Sequence, residues 1–156
     1  MLVVSWAVIL VDQGTKYLAI ENLEPYKSVN VLGDVLKFTL VYNDSAAFSI
    51  GFGMTWIFTI LSSIATIVLL WLSRKIETLG WAVMAGVLLG GVVGNLIDRL
   101  TRDPGFAVGH VVDFFQLPFG FAVFNVADIA IVVTASLTVI RVMRGDTIGR
   151  KSVPSS

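Results

Sequence analysis

The sequence predicts an all-α membrane protein, a four-transmembrane-helix bundle carrying a small extracytoplasmic β-hairpin or cradle. Three observations lead there. Of 156 residues, 56% are hydrophobic and only 14% charged, too few polar groups to cover a soluble globule of ordinary composition. Four apolar stretches recur along the chain, each close to the roughly 20 residues a helix needs to cross the hydrocarbon core. Between the first two lies a long segment in which apolar and polar residues alternate, the period of a strand.

The first span runs from Leu2 to about Ile20 and is interrupted by Asp12, Gln13 and Lys16. Met1 to Val11 has no basic n-region, and no small-x-small cleavage site follows, so it reads as a retained span. The hairpin comes next: Val29–Val31 and Val35–Tyr42 alternate on either side of Gly33-Asp34, a turn pair between two strand-like runs. The second span, Met54 to Ser73, carries no charge, and the short basic link Arg74–Gly80 makes a tight turn into the third, Trp81 to Leu100. Gly86, Gly90 and Gly94, spaced by four, give that span a smooth stripe for close helix packing. Thr101–Gly120, with Pro104, Pro118 and several Phe residues, reads as a surface loop with a short interfacial piece. Phe121 to Met143 is the fourth span. Residues 1–144 thus form a single membrane domain, and residues 145–156 read as a disordered cytoplasmic tail.

Positive residues set the orientation. Arg74 and Lys75 lie between spans two and three, and Arg141, Arg144, Arg150 and Lys151 follow span four; the other side has Lys27, Lys37 and Arg102, with Lys16 and Arg99 at span ends. By the positive-inside rule both termini are expected in the cytoplasm. A net charge of zero with no basic run argues against a nucleic-acid partner, and the absence of Cys excludes disulfides and thiolate chemistry.

In an antiparallel four-span bundle the end of span one, the start of two, the end of three and the start of four share one side. Asp12 and Lys16, Asn43, Asn95 with Asp98 and Arg99, Asp113 in the loop, and Asn125 with Asp128 all belong to that end. Embedded acids are costly and mark function by default. The pattern Asn-x-x-Asp occurs twice, at 95–98 and 125–128, and residues three apart share a helix face. Asp113 and Asp128 are candidates for a carboxylate pair in which one keeps a proton and the other activates water. Their spacing equally allows Asp128 to pair with Arg99 while Asp113 is solvated. Asp12 and Lys16, four apart, are an ion pair or a substrate contact. Arg99 reads foremost as scaffold.

Other hydrolytic chemistries lack their residues. There is no His-Glu-x-x-His and no Gly-x-Ser-x-Gly, and His110 is the only histidine, so neither a metal nor any other cofactor is expected. A rival reading is a small proton-coupled membrane transporter, since embedded acids also mark ion paths. Such a protein would spread its charges through the spans, whereas here the second span has none.

At these residues the chain resembles the bacterial lipoprotein (type II, or prolipoprotein) signal peptidases. The resemblance rests on Asp12-Gln-Gly-Thr-Lys16, Asn43-Asp-Ser-Ala-Ala-Phe-Ser49, Gly91-Val-Val-Gly-Asn-Leu-Ile-Asp-Arg99, Val112-Asp113-Phe114 and Phe124-Asn-Val-Ala-Asp128, in the family's order. Ser45 departs from it, standing where the family usually has Gly. The resemblance implies an aspartic endopeptidase of the bacterial cytoplasmic membrane, with cytoplasmic termini and its active site at the extracytoplasmic face. It would cut diacylglyceryl-modified prolipoproteins immediately before the lipidated cysteine. Asp113 and Asp128 would be the catalytic pair, with Asp12, Lys16, Asn43, Asn95, Asp98, Arg99 and Asn125 shaping the pocket and holding substrate. Membrane lipid surrounds it, and globomycin-like peptides are expected inhibitors.

Overall fold

A computed structural model describes residues 1–44 and 54–147. The part of the second motif from Ser45 to Ser49 and residues 148–156 of the expected tail lie outside the described residues. The elements in chain order are α1 (Leu2–Asn22), β1 (Ser28–Leu32), β2 (Leu36–Asn43), α2 (Thr55–Leu72), α3 (Leu79–Thr101), β3 (Val111–Gln116) and α4 (Val126–Met143). All four helices are long and apolar enough to cross a membrane.

Helix α3 is the hub, packing against α1, α2 and α4. Its glycine stripe faces α1, which runs parallel to it. A Cβ placed on Gly86 would stand 2.6 Å from the Met1 carbonyl oxygen; on Gly90, 2.6 Å from Val8 Cβ; on Gly94, 2.6 Å from Asp12 Oδ2. Real Cβ atoms do not approach so closely, so only glycine permits this distance between the helices. Gly91 does the same for α4, where a Cβ would lie 2.7 Å from the Ala127 carbonyl oxygen.

Helix α2 shows what the bilayer does to a helix's inside and outside. Its buried residues are Thr55 and Thr59, while Ile60, Leu61, Ile64, Ile67 and Val68 are exposed. Lipid is as apolar as these side chains, so packing selects hydrogen-bonding groups rather than hydrophobic ones. Thr59 accordingly donates to the Ala107 carbonyl at 2.7 Å.

The expected hairpin is present, turning at Gly33 with φ +53°, but it belongs to a three-stranded antiparallel sheet of order β1-β2-β3. Strand β3 occupies part of the segment read from sequence as a surface loop with a short interfacial piece. Val111 to Phe114 is buried throughout, so its run of apolar residues shows no alternation by which a strand is recognised. Val112 and Phe114 join Leu40 of β2 and Ala19 of α1 in a small core, which seats the sheet on the end of α1. The fourth helix begins at Val126 rather than Phe121. Phe119 and Gly120 have positive φ, and Phe124 pairs instead with Phe115, its N–H reaching the Phe115 carbonyl at 3.0 Å.

The glycine stripe is directly testable. Gly90→Val should destabilise the purified protein by about 1–3 kcal/mol through overpacking, seen as a lower Tm in detergent. Gly14→Ala, which meets nothing within 4 Å, should leave Tm equal or higher.

Candidate active site

Lys16 on α1 is fully buried, and so are Asp12 and Asp98. Its Nζ lies 2.9 Å from Asp12 Oδ2, 2.8 Å from Asp98 Oδ2 and 2.9 Å from Asn95 Oδ1. Spacing explains the meeting: Lys16 is one turn beyond Asp12, and the parallel register with α3 places it beside Asp98, one turn beyond Gly94. Each carboxylate also ties in a neighbouring element. Asp12 Oδ1 accepts the Ala127 N–H at 2.9 Å in the first turn of α4. Asp98 Oδ2 accepts the Val112 N–H at 3.2 Å at the start of β3, and Arg102 Nε lies 2.7 Å from Asp98 Oδ1. Gln13 bridges the two, donating to Asp12 Oδ2 and Asp98 Oδ1, each at 3.1 Å.

Asp128 is held by the way α4 starts. Asn125 is the N-cap: its side-chain oxygen accepts the Asp128 N–H at 2.9 Å, and Asp128 Oδ2 accepts the Asn125 N–H at 3.1 Å. This reciprocal capping box satisfies two helix-end donors and fixes the carboxylate. Asp128 Oδ1 accepts Asn95 Nδ2 at 2.8 Å. Asp113 comes from β3, opposite Val41 of β2. Its Oδ1 accepts Asn125 Nδ2 at 2.6 Å and its Oδ2 accepts Asn43 Nδ2 at 2.8 Å.

Both carboxylates open onto one cavity of about 580 Å³, whose wall also includes Asn43, Asn95, Arg99, Phe121, Phe124, Ile129, Val132 and Val133. Beside these polar groups the lining is apolar, from α4 aliphatics and from Val111, Leu117 and Phe residues. Burial, reinforced by the nearby charge of Asp128, pushes the Asp113 carboxyl up to about 7, against opposing hydrogen bonds from Asn43 and Asn125. Near neutral pH Asp113 therefore keeps its proton in a substantial share of molecules, as acid–base chemistry on water requires of one member of a carboxylate pair.

Of the residues singled out from sequence, Asn43, Asn95, Arg99, Asp113 and Asp128 line the cavity. Asp12, Lys16 and Asp98 form the sealed ion cluster behind it, and Asn125 is fully buried between the two aspartates. Arg99 forms no ion pair with either aspartate among the described residues; its Nη1 donates to the Asn95 carbonyl at 3.4 Å and its guanidinium lies over the Phe58 ring, 5.6 Å from the centroid. The sequence reading passed over Gln13, although it sits inside the first motif; a polar residue next to Asp12 within a span was the available signal. Phe58 gives none, being one apolar residue among many in α2.

Four membrane-capable helices, with two carboxylates from different elements on one cavity at a shared end, have the layout of a membrane aspartic peptidase. Residues 4–144 match the family profile of signal peptidase (SPase) II. The chain is 46% identical over 143 residues to the lipoprotein signal peptidase of Leifsonia xyli subsp. xyli, covering 92% of this chain and 66% of that protein. It is 42% identical to that of Mycobacterium leprae, covering 97% and 76%. A solved bacterial membrane enzyme superposes with a TM-score of 0.84 at 28% identity, covering 99% of this chain and 93% of that one. The chain belongs to the signal peptidase II family. This leaves the transporter reading without support.

The raised Asp113 carboxyl has a consequence for stability. Its folded-state value lies above the ordinary carboxylate range, so its contribution is fully present below about pH 4 and is lost as pH rises through about 7. Asp113→Asn removes that loss. Its Tm should match that of the unsubstituted protein near pH 4 and exceed it by several degrees at pH 8, as read by thermal unfolding in detergent. An equal difference at both values would count against the buried, protonated Asp113.

Proposed function

We propose that this chain removes signal peptides from diacylglyceryl-modified prolipoproteins, cutting immediately before the lipid-bearing cysteine, with Asp113 and Asp128 as the catalytic pair. The observation that carries this reading is the placement of two carboxylates, each bonded to an asparagine amide, on a cavity otherwise lined mostly by apolar side chains. Asp128 takes a proton from water as the oxygen attacks the scissile carbonyl carbon, and Asp113 gives its proton to the carbonyl oxygen. Collapse of the tetrahedral intermediate returns a proton to the departing amine. Asn43, Asn95 and Arg99 hold the peptide, while Asp12, Lys16, Asp98 and Asn125 keep the pocket in shape.

Ile129, Val132 and Val133 suit an acyl chain, each buried methylene contributing about 0.8 kcal/mol. Residues 1–144 act as one membrane domain, both termini lie in the cytoplasm, and the sheet and cavity face the outside of the bacterial cytoplasmic membrane. The supports are the basic residues Arg74, Lys75, Arg141 and Arg144 at the opposite end. Globomycin-like peptides should compete for the cavity.

Asp113→Asn and Asp128→Asn should each lower turnover of a diacylglyceryl-modified lipobox peptide by about 10²-fold or more, with the protein still folded. Chelators should leave the rate unchanged. Near-normal turnover in either variant, or rescue of a chelated enzyme by a divalent metal, would overturn the mechanism. Equal cleavage of the unlipidated peptide would sink the acyl-chain assignment. A reporter fused after Met143 should be active only in its cytoplasmic form.

A further inference from the structure

An ammonium group has three donors and no acceptor. At Lys16 all three have partners, Asp12 Oδ2, Asp98 Oδ2 and Asn95 Oδ1, between 2.8 and 2.9 Å away. The third differs from the others because an amide can turn over. Turned the other way, Asn95 would set its NH2 against the ammonium, donor facing donor at a group with no access to water. Its carbonyl end is therefore held at Lys16, and its NH2 end meets Asp128 Oδ1 at 2.8 Å. Asn125 is held from a different side. The helix cap takes its oxygen, which leaves its NH2 for Asp113 Oδ1 at 2.6 Å and Asn95 Oδ1 at 3.1 Å.

We propose that Lys16, although sealed behind the cavity, is a positioning residue for the reaction: its ammonium, alongside the cap-held Asn125 NH2 on the same oxygen, locks the Asn95 amide with the NH2 directed at Asp128. The proposal rests on the two-aspartate reading and adds what keeps a donor on the water-activating carboxylate. A carboxylate facing the amide carbonyl instead would be repelled as an anion. Without the ammonium, the pair should take up its proton at higher pH, and the acid limb of the activity profile should move upward.

Other charges face this pair, and the test has to separate them. Asp113 lies across the cavity on β3, Arg99 is on α3 beside it, Asp98 with its partner Arg102 lies behind on α3, and Asp12 is on α1. Removing Lys16 alone strands a buried carboxylate, so Asp12→Asn is the background. The asparagine oxygen can keep one of the carboxylate's two partners, Ala127 or Lys16; the double variant, which has no Lys16, needs only Ala127 and has no net change in charge. Asp12→Asn by itself removes only a negative charge, so simple electrostatics moves its acid limb downward if at all, opposite to the effect expected from losing the lock.

The measurement is kcat and KM against pH for the diacylglyceryl-modified peptide, corrected for folded fraction. Asp12→Asn/Lys16→Met should move the acid limb up by about one pH unit or more relative to Asp12→Asn, the scale of a lost hydrogen bond to a charged group. Its kcat should fall and its KM change little. Asp12→Asn/Lys16→Gln lacks the same charge but has an amide that can donate to Asn95 Oδ1, so its limb should move clearly less than that of the Met variant. A limb in the Met variant that coincides with Asp12→Asn alone, or equal displacement in the Met and Gln variants, would overturn the proposal.

Should the Met variant not fold, the unsubstituted protein supplies a second measurement. The Asn95 side-chain NH2 resonances, assigned by their loss in Asn95→Asp, should shift with pH at the midpoint of the acid limb. Resonances indifferent to pH across that range would overturn the proposal. Full turnover in Asp113→Asn or Asp128→Asn would instead defeat the two-aspartate reading itself. Inactive dyad variants with an unmoved limb would defeat only the role of Lys16.

Discussion

A lysine sealed inside one end of a lipid-embedded bundle constrains everything around it. An unpaired charge there costs several kcal/mol, and removing one member of a buried pair costs about 3–5 kcal/mol. Lys16 therefore demands three acceptors within hydrogen-bond reach, and it finds them on α1 and α3. That is possible only because α3 presents glycine where α1 crosses it: Asp12 Oδ2 occupies space that a Cβ on Gly94 would fill. The glycine stripe and the ion cluster are thus one design, since the close approach that the stripe allows is what lets the charges meet.

The second oxygens of those carboxylates carry the constraint outward. Asp12 reaches the first turn of α4 and so helps to set where that helix begins; Asp98 reaches the N–H of Val112, β3's second residue, and so helps to set where the strand starts after α3. Asp128 stands three residues past the cap and Asp113 one residue past Val112. A dry, fully partnered cluster on one side therefore places two carboxylates on the other side, where a cavity is open. Rigidity and access are divided between the two faces of Asn95, which touches Lys16 with one end and Asp128 with the other.

Much of this was legible in the chain. The spans stood out by length and composition, the hairpin by its alternation around Gly33-Asp34, and the polar end of the bundle by the arithmetic of antiparallel connections. Strand β3 was not, because burial on both faces erases the alternation that reveals a strand. The two copies of Asn-x-x-Asp show a further limit. They are spelled alike, yet Asn95 and Asp98 lie within α3 and turn toward Lys16, while Asn125 and Asp128 form the cap of α4. Only the position of the helix start separates these roles, and that start combines the local Asn125 capping box with Phe124 pairing to β3 and the Asp12 bond to Ala127.

What the sequence by itself determined was the inventory: four spans, a strand pair, and acids, amides and one lysine at a common end. Those follow from composition and period, which are local properties. Which groups meet was decided by tertiary structure. Among the described residues Asp128 has no ion pair with Arg99, and Asp113 is buried rather than solvated, because sheet pairing with β2 and the cap of α4 bring the two aspartates to one cavity across 15 residues of chain. Hydrogen-bond partnership in a medium without water is satisfied by whatever element lies within about 3 Å, and that distance is a property of packing rather than of spacing along the chain.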